Sequence, residues 1–456
     1  MFSNIANPAL VVSGQYGGPV LVYDKTTVTI YTCSGEQISS WKWNNGPAVA
    51  AGWSEAEDVI FVLEDGTVLT YSMFGIFHSS FSMGQEAKDG VLSAKIFSSH
   101  KGTGVAVLTS AHRFWMVTSL EEVSPRLWKM YDTGELPHPN AWCPLTVNNQ
   151  SRLVVGRGTE LVLLSVDTMD VLEVEVVKLG KVVSVTASHS QNKLCVVLET
   201  GLVWLGTMSR TLLTHELSNI PSMVAWCGED AVVLIMGEEM ECTLLHQSGD
   251  STTDFQFNPL CIVQECDGVR IIVPGNHDLI HKVDRNVQEI FDYQLYRMVD
   301  SKDYGAKLLM ASEALAQKSH KADEYIRMIG DMLNVAVSKC IAAAGAVYHH
   351  ESEHQKKLMR AAKFGCAYLK TGIVTNEFKQ QCETLRLLNN IRFYKVGIPL
   401  TYLQLEALSR QVLLDRLIAR RLFPLALEIS EFLNLPSTEG RSRVLGHWAM
   451  FKVDVM

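Results

Sequence analysis

Short strand pairs that recur at a regular interval are the feature that most restricts the fold of this chain. The clearest unit is VIFVLEDGTVLTYSM (59–73), in which two β-rich runs flank Glu64-Asp65-Gly66. An Asp-Gly pair at that place predicts a hairpin, because the turn requires positive φ and glycine adopts it without steric cost. The first part of the chain is therefore predicted to consist of antiparallel hairpins.

These predicted turns follow a repeat. Their centres fall near residues 25, 65, 111, 157, 200, 238 and 267, so the spacing is about 40 residues until a tighter last interval. A repeat of ~40–45 residues built from short antiparallel strands is typical of β-propeller blades. We therefore predict an all-β first domain over residues 1–290, an N-terminal β-propeller of six or seven blades. Two stacked β-sandwiches are the all-β alternative, although they would not require such even spacing.

Hydrophobic periodicity changes from two to 3.6 after about residue 290, which predicts an all-α second part. HKADEYIRMIGDMLNVAVSKCIAAAG (320–345) predicts one long helix with an apolar stripe, ended by Gly345. Thr401 and Gln404 have capping-box spacing. Successive amphipathic helices joined by short connections predict an α-solenoid of helical hairpins over residues 291–456. We expect it to be the start of a longer array. The further predicted helices cover 358–370, 375–394, 401–423 and 424–435.

Charge and composition exclude several classes of protein. The formal net charge is −9, with −15 over residues 1–290 and +6 over residues 291–456. Such a chain lacks the basic footprint of a general nucleic-acid binder, so no nucleic-acid partner is expected. There is no signal-peptide pattern and no apolar run of about 20 residues, so no transmembrane segment is expected. The ten cysteines form no C-x-x-C pair, which indicates reduced, buried thiols.

Residues His350, Glu351 and His354 form an H-E-x-x-H pattern, which on a helix can bind zinc. Charged neighbours and the position between two predicted helices favour an exposed polar connector instead. The acids of the predicted turns are interpreted as solvated turn residues. No catalytic, cofactor-binding or metal-binding residue is predicted. The turn acids in question are Glu64-Asp65, Glu238-Glu239 and Asp267.

Three arginines near a predicted helix end are the candidate partner surface. Arg416, Arg420 and Arg421 occur in LDRLIARRLFP, and positive charge near a helix C-terminus interacts favourably with the helix dipole. They are expected to form an exposed face. The functional alternative is a docking surface for an acidic partner.

Long ordered segments carry a family resemblance over nearly the whole chain. The longest is YKVGIPLTYLQLEALSRQVLLDRLIARRLFPLALEISEFLNLP (394–436). By these segments the chain resembles the vacuolar protein sorting-associated protein 16 family. The other matching segments include QYGGP (15–19), WKWNNGPAVAAGWS (41–54), EDGTVLTYSMFG (64–75), KADEYIR (321–327), LMRAAKFG (358–365) and HWAMFKV (447–453).

The resemblance implies a non-catalytic scaffold subunit of the HOPS and CORVET tethering complexes, which serve protein transport, autophagy and SNARE-mediated membrane fusion. It implies a cytoplasmic protein, peripheral on late endosomes and on lysosomes or the vacuole. The implied partners are other subunits of these complexes, an SM protein, and indirectly SNAREs and Rab-type GTPases. Because family members are longer, the SM-protein docking segment is expected to lie outside this chain. A coat or pore scaffold and a propeller-domain hydrolase are the alternatives; perturbed carboxylates or histidines clustered at the central opening would favour the hydrolase.

Overall fold

The computed structural model describes residues 8–122, 124–134, 137–237, 240–282, 287–290, 303–347, 352–369 and 372–454. The chain forms two compact units. The first contains the described residues up to His281 together with Asp415–Arg421. The second contains the remaining described residues.

The first unit consists of seven antiparallel sheets whose strands follow one another in chain order. Six sheets have four strands and the seventh has three described strands. We number these sheets as blades 1 to 7. Blades 1 to 3 contain β1 (Leu10–Ser13), β2 (Val20–Tyr23), β3 (Thr27–Tyr31), β4 (Gln37–Lys42), β5 (Ala48–Trp53), β6 (Val59–Leu63), β7 (Thr67–Tyr71), β8 (Phe77–Ser82), β9 (Val91–Ser99), β10 (Gly102–Thr109), β11 (Phe114–Val117) and β12 (Leu127–Lys129). Blades 4 to 7 contain β13 (Trp142–Val147), β14 (Gln150–Arg157), β15 (Glu160–Leu164), β16 (Met169–Leu172), β17 (Val182–Ala187), β18 (Leu194–Leu198), β19 (Leu202–Gly206), β20 (Thr211–Glu216), β21 (Pro221–Cys227), β22 (Ala231–Met236), β23 (Glu241–His246), β24 (Ser251–Gln256), β25 (Cys261–Gln264), β26 (Gly268–Val273) and β27 (Asn276–His281).

The seven sheets close into a ring. The first strand of each blade contacts the first strand of the next, and β25 of blade 7 contacts β1 of blade 1. The first part of the chain is thus a seven-bladed β-propeller followed by helices, which confirms the predicted fold class. The alternative of two stacked sandwiches is wrong.

In blades 1 to 6 the predicted hairpins correspond to the middle strand pair of the blade. In blade 2 the two predicted runs are β6 and β7, and Gly66 between them has φ +72°. The tight last interval has a structural cause. The turn near residue 267 joins the first two strands of blade 7, whereas the middle turn of that blade lies at Gly275, between β26 and β27.

Apolar cores lie between neighbouring blades, because each sheet buries both faces against its neighbours. Six of the junctions contain between eight and fourteen buried apolar residues each. Among the residues that the structure describes, the junction between blades 7 and 1 contains three, which are Val20, Cys33 and Ile272. All ten cysteines are free, and six of them are buried.

The rest of the described chain is helical, with one structural correction to the long predicted helix. Gly330–Met332 form a 3-10 turn, with φ +55° at Gly330, that divides residues 320–345 into two helices. Gly345 does not end the second helix, which continues to Ala346. The nine described helices are α1 (Tyr304–Ala316), α2 (Lys321–Ile329), α3 (Leu333–Ala346), α4 (Ser352–Cys366), α5 (Gly372–Ile391), α6 (Tyr402–Leu408), α7 (Arg410–Ala419), α8 (Phe423–Phe432) and α9 (Arg441–Asp454).

A second break divides the helix that is predicted over 401–423. Ser409, with φ +71°, separates α6 from α7. The capping box that begins α6 is confirmed: the Thr401 hydroxyl accepts from the Gln404 N–H at 3.0 Å, and the Gln404 side chain accepts from the Thr401 N–H at 3.2 Å. The last described strand ends at His281 and α1 begins at Tyr304, while the domain boundary at residue 290 stays a prediction.

One apolar core of the second unit forms around α1, α3 and α4. The stretch Lys321–Ala346 is long and apolar enough to cross a membrane by length and composition alone. The 3-10 turn interrupts this stretch, and α3 buries Ala336, Val337 and Cys340 in the core. We therefore interpret the two helices as core elements of a folded unit.

Candidate functional site

Five charged side chains are buried together in the first unit, each at most 7% exposed: Glu57, Glu265, Arg270, Arg416 and Arg420. We call them the buried charge cluster. Ion pairs join them into two groups, one around Glu57 and one around Glu265. Charged residues are seldom buried unless they are paired, so this cluster is the most unusual chemical feature of the propeller unit.

Glu57 accepts hydrogen bonds from Arg420 through both carboxylate oxygens. The distances are 3.0 Å from Arg420 Nε to Oε2 and 2.8 Å from Arg420 Nη2 to Oε1. Arg416 Nη1 lies 3.5 Å from the same Oε1. Such a two-pronged guanidinium–carboxylate contact fixes the orientation of both groups.

Local backbone geometry positions Glu57. The residue lies in the turn between β5 and β6, where it has φ +64°. Non-glycine residues adopt this left-handed conformation infrequently and at some cost in free energy. The turn is closed by a hydrogen bond from the Glu57 N–H to the Ser54 carbonyl at 3.1 Å.

The second group joins blade 7 to blade 1. Arg270 Nε, on β26, lies 2.5 Å from Glu265 Oε1. The two oxygens of Glu265 accept from the backbone N–H of Tyr16, in the β1–β2 turn, at 2.8 and 2.9 Å. The Gln15 side chain also donates to the Gln264 carbonyl at 3.3 Å. The contacts of Tyr16 and Gln15 cross the closing junction of the ring, while the Glu265–Arg270 pair lies within blade 7.

Both arginines of the first group also bind the β1–β2 turn. Arg416 Nη1 donates to the carbonyl oxygens of Gln15 at 3.1 Å and Tyr16 at 2.9 Å. Arg420 Nη2 donates to the Gly17 carbonyl at 3.3 Å. The turn therefore receives hydrogen bonds from Arg416 and Arg420 and donates one to Glu265.

Burial changes the proton affinity of two groups here. It lowers the pKa of Arg416, an effect that the Glu57 carboxylate opposes. Burial raises the pKa of Tyr16 well above its ordinary value, and negative charge at Cys266 and Glu265 adds to the effect. The phenol of Tyr16 is therefore protonated near neutral pH, and its oxygen lies 2.9 Å from His189 Nε2. Neutral Tyr16 adds no charge to a cluster in which the arginines are paired with carboxylates.

The expectation that all three arginines form an exposed face is wrong for Arg416 and Arg420. Each is 7% exposed, because each is paired with Glu57 inside the first unit. Arg421 is half-buried, and its guanidinium carbon lies 3.6 Å from the centre of the Phe74 ring. Docking of an acidic partner stays a prediction, and Arg421 is the residue of the three that retains accessible surface for it.

The H-E-x-x-H pattern lies partly outside the described residues, since His350 and Glu351 are not among them. His354 is exposed in the first turns of α4. Its neighbour Glu353 bonds Lys356 at 2.8 Å on the exposed helix surface. Among the residues that the structure describes, no three His, Cys, Asp or Glu side chains are grouped so that they could hold a metal ion.

The sequence did not identify Glu57 and Glu265, the two acids of the buried charge cluster. Glu64 and Asp65 are exposed, as predicted, and Glu238-Glu239 lie outside the described residues. Asp267 is only 8% exposed, so its interpretation as a solvated turn residue is wrong. Glu57 and Glu265 also occupy turns, and no local pattern distinguishes these buried turn acids from exposed ones.

Comparison with known proteins places this architecture in a family. Residues 7–376 match the family described as Vps16, N-terminal region. Among curated relatives, the vacuolar protein sorting-associated protein 16 homolog of Drosophila melanogaster is 28% identical over 96% of this chain and 54% of its own length. The Dictyostelium discoideum homolog of that name is 30% identical over 94% and 51%, respectively. Protein VACUOLELESS1 of Arabidopsis thaliana is 28% identical over 97% and 54%.

The chain spans about half the length of these curated relatives. The family match covers most of the propeller unit and continues into the helices. The chain belongs to the Vps16 family.

Proposed function

We propose that this chain is a non-catalytic scaffold subunit of HOPS- and CORVET-type tethering complexes. In this role it supports SNARE-mediated fusion at late endosomes and at lysosomes or the vacuole, where it is peripheral to the membrane. The single observation that carries the proposal is the Vps16-family match across a propeller followed by helices. Relatives named for vacuolar protein sorting support it.

The buried charge cluster supports a scaffold rather than an enzyme. A carboxylate that acts as a general base must be able to reach a substrate. Glu57 and Glu265 are instead buried and bonded to arginines and to the backbone. Their geometry holds blades and turns together, which is what a rigid binding platform requires.

In this proposal the protein acts through contacts with other proteins. Other HOPS and CORVET subunits bind directly, while SNAREs and Rab-type GTPases are engaged through those subunits. The SM protein binds a segment outside this chain. The propeller, over residues 1–290, acts as a rigid end domain, and the helices that follow carry assembly contacts. Several weak contacts on one scaffold raise the overall avidity.

The test is co-purification of this chain, beside a longer Vps16-family protein, with candidate tethering subunits and an SM protein. We expect the tethering subunits to bind both forms and the SM protein to bind only the longer one. Arg421→Glu tests the predicted acidic partner, with Arg441→Glu, at an exposed arginine of α9, as the matched charge reversal. Recovery of coat or pore subunits, with no tethering subunit, would refute the proposal.

A further inference from the structure

The outer strand of blade 2 is an unusually open sheet edge. Five of the six residues of β8, sequence FHSSFS, are exposed. Among the described strands, β8 pairs only with β7. The edge of a sheet presents backbone N–H and C=O groups to which another extended chain can bond.

Charge distinguishes this edge from the other outer strands. Proteins commonly protect exposed edges with charged side chains, which disfavour pairing with another strand. The outermost described strand of every other blade carries at least one such residue, whereas β8 contains no Asp, Glu, Lys or Arg. The charged residues in these strands include Lys42 in β4, Lys129 in β12, Asp170 in β16, Glu216 in β20, Asp254 in β24 and Asp278 in β27.

The register identifies which backbone groups face outward. The Met83 N–H, just after β8, donates to the Gly66 carbonyl at 2.9 Å, so Met83 faces the neighbouring strand. Because backbone groups in an antiparallel ladder alternate in direction, those of Ser82 and Ser80 face away from β7. These two residues present donors and acceptors for a further strand.

Apolar and positively charged groups lie where β8 begins. Ile76 is 56% exposed and Phe77 is 54% exposed. In the same turn, the guanidinium carbon of Arg421 lies 3.6 Å from the centre of the Phe74 ring. A partner strand that reached this turn would meet an apolar surface and then a positive charge.

We propose that β8 binds an extended segment of another protein as a fifth strand of blade 2. The segment places an apolar side chain against Ile76 and Phe77 and an acidic side chain near Arg421. Backbone pairing supplies affinity, and these side-chain contacts supply direction and specificity. The inference does not depend on the proposed tethering function, because it concerns the purified chain and a peptide.

Blade 1 supplies a matched control. The Trp43 N–H donates to the Thr26 carbonyl at 2.7 Å, in the same relation as Met83 to Gly66. Ser40 of β4 therefore corresponds to Ser80 of β8. Lys42, two residues beyond Ser40, supplies the charge that β8 lacks.

The probes are two fluorescent peptides of about ten alternating Val and Thr residues. One peptide has an Asp at its N-terminal end and the other has an Asp at its C-terminal end, and each is titrated with the whole chain. Ser80→Pro removes an outward-facing N–H at an edge, where proline is tolerated. We expect this change to weaken peptide binding about tenfold, because one backbone hydrogen bond is lost and the adjacent bonds of the same strand pair are weakened. Ser80→Ala and Ser40→Pro should leave binding unchanged. Arg421→Ala should remove the preference for one Asp position.

Circular dichroism and the melting temperature establish that Ser80→Pro is folded. If it is not, Ser80→Lys is the second variant, because it introduces the protecting charge without changing the backbone. Equal binding by Ser80→Lys and wild type would overturn the proposal. Concentration-dependent dimers that Ser80→Lys abolishes, with no peptide binding by wild type, would also overturn it and assign the edge to a second copy of this chain.

Discussion

The junction between blades 7 and 1 differs from the other six in what holds it together. Counted over the described part of the chain, the six contain between eight and fourteen buried apolar residues each, and the closing junction contains three. The closing junction has the Glu265–Arg270 pair and the hydrogen bonds from Tyr16 to Glu265. Polar contacts thus supplement hydrophobic packing at the place where the ring closes.

This difference has a physical consequence. Apolar packing is non-directional and tolerates some rearrangement, whereas buried ion pairs depend on every partner because an unpaired buried charge is costly. We therefore expect the closing junction to be sensitive to single polar substitutions and the other junctions to be sensitive to loss of volume.

Tryptophan fluorescence can follow the propeller unit selectively. Of the nine tryptophans, Trp448 is the one that lies in the second unit. A Trp448→Phe background leaves a signal from the first unit alone. Denaturant unfolding of the propeller unit can then be followed by this signal.

The largest effect is expected for Glu57→Gln. The change removes the negative charge between Arg416 and Arg420 and leaves two buried guanidiniums without it. We expect the free energy of unfolding to fall by about 3–5 kcal/mol. The control is Glu86→Gln, since Glu86 also pairs with two cations, Arg113 and Lys129, but its side chain is 30% exposed. If both variants lost the same free energy of unfolding, burial of the ion pair would not be the cause of the larger effect at Glu57.

Adjacent residues of β26 allow a direct comparison of two junctions. Ile271 and Ile272 are both fully buried, but Ile271 packs between blades 6 and 7 and Ile272 between blades 7 and 1. We expect Ile271→Ala to cost about 3–4 kcal/mol and Ile272→Ala about 2–3 kcal/mol, because the loss grows with the cavity that is left. The reverse order in denaturant unfolding would show that the closing junction depends on packing as much as its neighbour does.

The closing junction should also make stability depend on pH. Burial lowers the pKa of His277 to about 4, and the positive charge of Arg270 adds to the effect. Between the ordinary value of about 6.5 and about 4, the unfolded chain binds a proton at this site that the folded chain does not. Stability contributed by neutral His277 is therefore complete above pH 6.5 and is lost as the pH falls toward 4.

We expect that loss to be about 2 kcal/mol, since part of the residue remains exposed. Unfolding of wild type and of His277→Gln, compared from pH 7.5 to 4.5, isolates the contribution of this residue from that of the carboxylates. A pH slope unchanged by the substitution would exclude His277 as its source.

The smallest effect is expected for Arg421→Ala. The contact between its guanidinium and the Phe74 ring lies at the surface, and such cation–π contacts contribute about 0.5–1 kcal/mol. The melting temperature should therefore fall only slightly. A loss as large as that of Glu57→Gln would place Arg421 with the buried arginines rather than at the surface.

Much of the fold could be predicted because its signals are local. The Asp65-Gly66 turn, the spacing of the hairpins and the Thr401–Gln404 capping box each depend on residues within a few positions of one another. Prediction from the helical periodicity was wrong where a short backbone irregularity interrupts a long amphipathic segment. Gly330 and Ser409 divide predicted helices because both adopt positive φ, which periodicity alone does not reveal.

The sequence by itself determined the strand period and the helix period, because these depend on neighbouring residues. It also determined the family to which the chain belongs, because the family is recognised from long segments of sequence. Only the tertiary structure decided which charges are buried. Glu57 and Arg420 are 363 positions apart, and nothing near either residue indicates the other. Burial is a property of the folded surroundings, so a turn acid or a helix-end arginine acquires its role only when distant parts of the chain come together.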